Sequence, residues 1–201
     1  MNKYPKRKTT RLKEYDYTNP GYYFVTICAF DRKCLFGKII DDNMELNNSG
    51  QMVDNILRTL AEYYHSISID SYIVMPNHIH AIIIIKQPVG AAPRGRLSIN
   101  MGLKLNNISN KNKISDGGPA QGPSPAKLSL PDIICRFKSL TTKRYIDGVK
   151  NNNWQPFNKH LWQRSYYDHI IRSNKSLKRI REYISGNPVN WKQDIDNLIN
   201  L

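Results

Sequence analysis

The sequence predicts an α+β fold, an antiparallel sheet with helices packed on one face. Three observations carry that prediction. The apolar pattern changes period along the chain in the order β-β-α-β-β-α-β-α. Most consecutive strands are joined by short turns, which makes them antiparallel. A chain of 201 residues, 40% of them hydrophobic, is enough for one real core.

Residues 1–14 form a basic arm carrying Lys3, Lys6, Arg7, Lys8, Arg11 and Lys13. Asn19-Pro20-Gly21 then signals a turn, and Tyr22 to Cys28, rich in aromatic and β-branched residues, reads as a strand. A second short strand is expected over Cys34 to Ile40. Ser49 can cap a helix in which Val53, Ile56, Leu57, Leu60 and Tyr64 recur at three- and four-residue spacing. Ile67 to Met75 and His78 to Ile85, separated by Pro76-Asn77, read as a hairpin. Residues 88–125 then hold six glycines and five prolines, so a flexible insertion is expected over about 88–128. Pro131 suits the first turn of a helix whose stripe is Ile133, Ile134, Phe137, Leu140 and Tyr145. A short strand is expected at Leu161 to Gln163. The last helix starts near Ser173, carries Leu177, Ile180 and Ile184, and stops at Asn187-Pro188. One domain over residues 15–192, interrupted by the insertion and followed by a tail at 193–201, accounts for this order.

Composition excludes some classes. The longest apolar run, Ala81 to Ile85, is far shorter than the roughly 20 residues that span a bilayer. The basic N-terminus lacks an apolar core, so no secretory signal is expected. Cys28, Cys34 and Cys135 form no CxxC pair, which fits a reducing cytoplasm. Thirty basic against sixteen acidic residues leave a net charge of +14, which attracts polyanions, and nucleic acid above all. From Arg136 to Tyr183 there are twelve Lys or Arg, Arg164 and Arg172 among them, against three acids. Such charge grips phosphates without reading sequence.

His78 and His80 stand two apart in a predicted strand, so both imidazoles share one face. Two neutral nitrogen donors on one face make half of a divalent-metal site, although such pairs also occur as plain core or surface residues. Tyr183 and Asn187, four apart on a predicted helix, share a face as well. Tyr183 is either a packing tyrosine at the margin of the apolar stripe or a nucleophile beside an amide ligand. Lys175, Lys178, Arg179 and Arg181, just upstream, could hold a phosphate backbone and favour the phenolate. Asp168 and His169 could assist near the site, although a charged pair on an exposed strand end is the commoner explanation.

Tyr72-Ile73-Val74-Met75-Pro76-Asn77-His78-Ile79-His80 resembles the motif strand of the single-tyrosine HUH transposases. Trp162-Gln163-Arg164-Ser165-Tyr166-Tyr167-Asp168-His169-Ile170-Ile171-Arg172, with Ile180-Arg181-Glu182-Tyr183-Ile184 and Asn187-Pro188, resembles their REP-associated branch. The resemblance covers residues 15–192 apart from the insertion. It implies a ferredoxin-like sheet, the HUH endonuclease fold, with the histidines on a central strand and the tyrosine on a helix facing them. It also implies binding of a DNA hairpin and cutting of an adjacent single strand with Mg²⁺ or Mn²⁺. His78 and His80, with Asn187, would hold the ion, and Tyr183 would attack the scissile phosphate. The products would be a 5′-phosphotyrosyl link and a free 3′-hydroxyl, and rejoining would need no ATP. Asn187 is one methylene shorter than the glutamine common at this place in the wider family, so a water could bridge it to the ion. A monomer or homodimer, cytoplasmic and nucleoid-associated, is the expected state. The rival class is a non-catalytic module that binds hairpins or single strands by base stacking. Only Phe36-Gly37-Lys38 fits a fragment of the usual signature of such modules.

Overall fold

The computed structural model describes residues 12, 14–86 and 128–194. The basic arm, the insertion and the tail lie outside the described residues except at their edges. Among the described residues six strands and three α-helices follow in order: β1 (Gly21–Cys28), β2 (Gly37–Ile40), β3 (Asn43–Leu46), α1 (Asn48–Tyr63), β4 (Ile67–Val74), β5 (His78–Ile85), α2 (Leu130–Asn151), β6 (Tyr167–Ile171) and α3 (Asn174–Gly186). The main sheet has the order β4-β5-β1-β6, and every pairing in it is antiparallel.

Alternation along β1 and β5 divides the interior in two. Tyr23, Val25 and Ile27 join Ile79, Ala81, Ile83 and Ile85 in the larger core, which α1 and α2 cover with Val53, Leu57, Leu60, Ile133, Ile134 and Phe137. Phe24 and Ile82 face the other way and meet Ile171, Leu177 and Ile184. The two long helices therefore share one face, while α3 lies across the opposite one. Its stripe of Leu177, Ile180 and Ile184 is narrow and covers only part of that face. The side chains at 78 and 80 alternate with 79 and 81, so they belong to the α3 side.

Several local expectations are corrected. The N-cap of α1 is Asn47, whose side-chain oxygen accepts from Gly50 N at 2.8 Å, and not Ser49, which donates to Leu35 O instead. The strand expected from Cys34 begins only at Gly37 and pairs with the unforeseen β3 through Asp41 and Asp42. Both aspartates have positive φ, the backbone that a two-residue hairpin turn requires and that Asp tolerates. Leu161 to Gln163 makes a single bridge, Ala29 to Trp162, and no strand. Trp162 is instead a core plug, its ring against Phe36 and Phe137 and its indole N–H donating to Thr141 Oγ1 at 2.8 Å. Leu140 points outward, and Thr141 takes its place in the buried stripe of α2 because its hydroxyl is satisfied by Phe137 O. The helix starts at a capping box, with Ser129 Oγ accepting from Asp132 N while the Asp132 carboxylate accepts from Ser129 N. Asp168 is buried on the helix side of β6 and accepts from Tyr17 OH at 2.7 Å, so it is not part of an exposed charged pair.

Candidate active site

β5 lies between β4 and β1, so its side chains are flanked on both sides. His78 pairs across the ladder with Cys28, and His80 with Thr26 and Ile73. That position buries both rings: His78 is 0% exposed and His80 2%. Burial, aided at His78 by the charge of Arg32 and at His80 by its neighbour His78, pushes both imidazoles down to about 3. Both are therefore neutral near pH 7, the form that offers a lone pair.

Hydrogen bonds fix which nitrogen is free. Asn77 Nδ2 donates to Arg32 O at 2.9 Å, which turns Asn77 Oδ1 toward His78 Nδ1, also at 2.9 Å. An amide oxygen only accepts, so Nδ1 of His78 carries the proton and Nε2 keeps its lone pair. His80 Nδ1 lies 2.9 Å from Thr26 Oγ1. A hydroxyl donates or accepts, so Thr26 can serve either tautomer of His80. The two Nε2 atoms converge at 3.0 Å.

The helix facing them brings the phenol. The hydroxyl of Tyr183 sits 3.2 Å from His80 Nε2, although its residue lies 103 positions away in the chain. Phe24 stacks on His80 at 5.5 Å and meets the Tyr183 ring edge-on at 6.1 Å, forming the apolar floor under the phenol. Tyr183 itself is 49% exposed, so the residue lies at the surface of the site. Ser173 caps α3 by accepting from Ser176 N. At the other end of the helix the structure adds a residue that no pattern in the sequence singles out. The chain turns back after Asn187, and the Asp194 carboxylate arrives with His78 and His80, their ligand atoms all within 4.8 Å of one another. Asn187 Nδ2 donates to Asp194 Oδ2 at 3.2 Å, while its buried Oδ1 finds no hydrogen-bond partner among the described residues.

Two neutral imidazoles and a carboxylate, with the amide of Asn187 beside them, are donor types that could hold a divalent ion.

The sequence-predicted residues divide by location. His78, His80, Tyr183 and Asn187 are brought to one place. Lys175 and Arg179 precede Tyr183 by eight and four residues on exposed helix surface, so they approach its face. Lys178 is exposed and lies 3.9 Å from Glu182. Arg172 is exposed at the end of β6. Arg164 lines an open groove with Arg32, His160 and Gln163. Arg181 differs from the rest. It donates to both oxygens of Asp70, at 2.7 and 2.5 Å, where a bulge in β4 leaves Asp70 as the extra residue. Its charge is already answered, and it serves to dock α3 on the sheet edge.

A family model described as IS200-like transposase matches residues 123–187, which include Tyr183 and Asn187. An uncharacterized protein of Haemophilus influenzae is 35% identical over 188 residues, spanning 94% of this chain and 91% of its own length. The chain belongs to the IS200-like transposase family. A solved REP-associated tyrosine transposase bound to a REP hairpin shares the fold, with a TM-score of 0.51 at 17% identity over 95% of this chain and 74% of that one. Membership makes a transposase-like, DNA-processing role the setting in which this histidine–tyrosine cluster is read. Among the described residues no helix is long and apolar enough to cross a membrane.

Proposed function

We propose that this chain is a metal-dependent enzyme of the REP-associated branch that nicks and joins single-stranded DNA beside a hairpin. One observation carries the reading: the hydroxyl of Tyr183, a half-exposed residue, stands 3.2 Å from His80 Nε2 in a buried, neutral histidine pair. His78 and His80 would hold Mg²⁺ or Mn²⁺ with ligands from the end of α3. When bound, that ion supplies positive charge to polarise a phosphoryl oxygen. The tyrosine oxygen gives up its proton and attacks the phosphorus, and the bond from phosphorus to the 3′-oxygen breaks. The 3′-oxygen of the upstream segment takes up a proton and leaves as a hydroxyl, and the downstream segment stays on Tyr183 through its 5′-phosphate as a phosphotyrosine. One phosphoester replaces another, so a 3′-hydroxyl can reverse the step and join strands.

Phe24 meets the phenol ring edge-on, and Arg181 holds α3 so that Tyr183 keeps its place over His80. Lys175, Lys178, Arg179, Arg172 and Arg164 supply phosphate contacts that position the strand without reading it. The hairpin as partner is supported by the REP hairpin in the related solved structure. The unit of activity is the single domain of residues 15–192 together with the turn that carries Asp194, working as a monomer or homodimer.

The test uses single-stranded oligonucleotides that carry hairpins from the DNA flanking the gene, labelled at the 3′ end and mixed with protein and Mn²⁺. The label is expected to migrate with the protein on a denaturing gel, to require metal, and to disappear with Tyr183→Phe and with His78→Ala/His80→Ala. Tight hairpin binding without any adduct would replace this reading with a non-catalytic binding module.

A further inference from the structure

The third ligand of the ion is the part of the site that the sequence places least well. Asn187 is the expected one, because it shares a helix face with Tyr183. The structure gives its amide a different neighbour. Nδ2 is the end turned toward Asp194, and it donates to Oδ2 at 3.2 Å. An amide so engaged directs its oxygen away from that carboxylate.

Asp194 stands where a ligand is needed. Its carboxylate lies within 4.8 Å of the ligand nitrogens of both histidines, and the residue is 9% exposed. The path to that place is built rather than loose. Asn190 N and Nδ2 both donate to Gly186 O, Trp191 N donates to Pro188 O, and Asp194 N donates to Trp191 O. Trp191 is buried with its ring 6.0 Å from that of His78, which pins the turn over the histidine pair.

We propose that Asp194 is the third protein ligand of the divalent ion and that Asn187 is a positioning residue that holds its carboxylate. The proposal rests on the metal-dependent reading of the site. It makes the donor set two imidazoles and one carboxylate, so the ion and its ligands carry a net charge of +1 where an amide ligand would leave +2. Asn187 acts on the metal through Asp194, as outer partners of ligating carboxylates do.

The experiment uses the full chain without DNA and Mn²⁺ alone as the probe. Electron paramagnetic resonance titration measures affinity, and electron–nuclear double resonance on protein made with ¹³C-carboxyl aspartate reports whether a carboxylate carbon touches the bound ion. The wild type and Tyr183→Phe are expected to bind Mn²⁺ alike and to show the ¹³C coupling. Asp194→Asn is expected to lose the coupling and more than about tenfold in affinity, with part of that affinity restored in Asp194→Glu. Asn187→Ala is expected to weaken binding by about tenfold yet keep the coupling. The wild-type spectrum needs no variant, so a folding defect cannot hide the answer. Mn²⁺ bound through His78 but without ¹³C coupling would overturn the proposal and leave the metal-dependent reading standing. No binding to the wild type, or none sensitive to His78→Ala, would overturn both.

Discussion

At the scale of the residue, the buried histidines tie the site to the stability of the fold. Both are held neutral to about pH 3, whereas an imidazole in the unfolded chain titrates near 6.5. Between those values the unfolded chain binds protons that the native protein refuses, so native stability falls as pH falls. The sign follows from linkage, since stability rises with pH wherever the unfolded state binds more protons. At pH 5 the loss is on the order of 2 kcal/mol per histidine relative to pH 8. Urea unfolding of metal-free protein at pH 8, 6.5 and 5 should therefore show a falling midpoint, and His78→Ala/His80→Ala should flatten that dependence. An equally steep dependence in the double variant would mean that other groups carry it. Asn77 adds a different kind of order at the same scale, since its amide, fixed by the Arg32 carbonyl, leaves the Nε2 lone pair of His78 free for an ion.

At the scale of the element, α1 shows how closely the covering helices approach. A Cβ at Gly50 would lie 2.0 Å from the Phe36 carbonyl oxygen, a backbone atom with no freedom to move aside. Gly50→Ala is expected to cost about 1–3 kcal/mol, read as a lower urea midpoint with unchanged slope. A variant as stable as wild type would show that α1 can shift outward without loss. Much of this architecture is legible in the sequence because burial has a period. β1, β4 and β5 stand out as aromatic and β-branched runs, and α3 as a capped helix with Leu177, Ile180 and Ile184 on one side. What escapes pattern reading has a local cause. β3 carries Asn43 and Glu45, poor strand formers held in place by the turn at Asp41-Asp42. Trp162 looks like a strand residue and is a plug, because its partners Phe36, Phe137 and Thr141 come from distant segments. The site is legible to the same degree. His78 with His80, and Tyr183 with Asn187, are each visible through the spacing of one element. Asp194 bears no periodic relation to any of them, and only the turn at Trp191 carries it back.

At the scale of the whole molecule, a charge of +14 makes binding to DNA sensitive to salt. Each phosphate contact on a single strand contributes about −0.7 to the slope of log affinity against log salt. Lys175→Ala/Arg179→Ala should reduce that slope by about 1.4 if both residues touch phosphates, measured by fluorescence anisotropy on a labelled hairpin oligonucleotide. An unchanged slope would place the strand elsewhere. The position of β1 between β5 and β6 has a separate consequence. The histidines belong to residues 14–86, whereas Tyr183, Asn187 and Asp194 belong to residues 128–194, and the two stretches are zipped together along one side of β1 and through α1 and α2. The described residues are thus a pair of interlocking halves. Two polypeptides divided between Gly90 and Leu128, produced together, should find each other and copurify with the Mn²⁺ site intact. Failure to copurify would mean that the ladder between β1 and β6 is too short to hold the halves without the chain that links them.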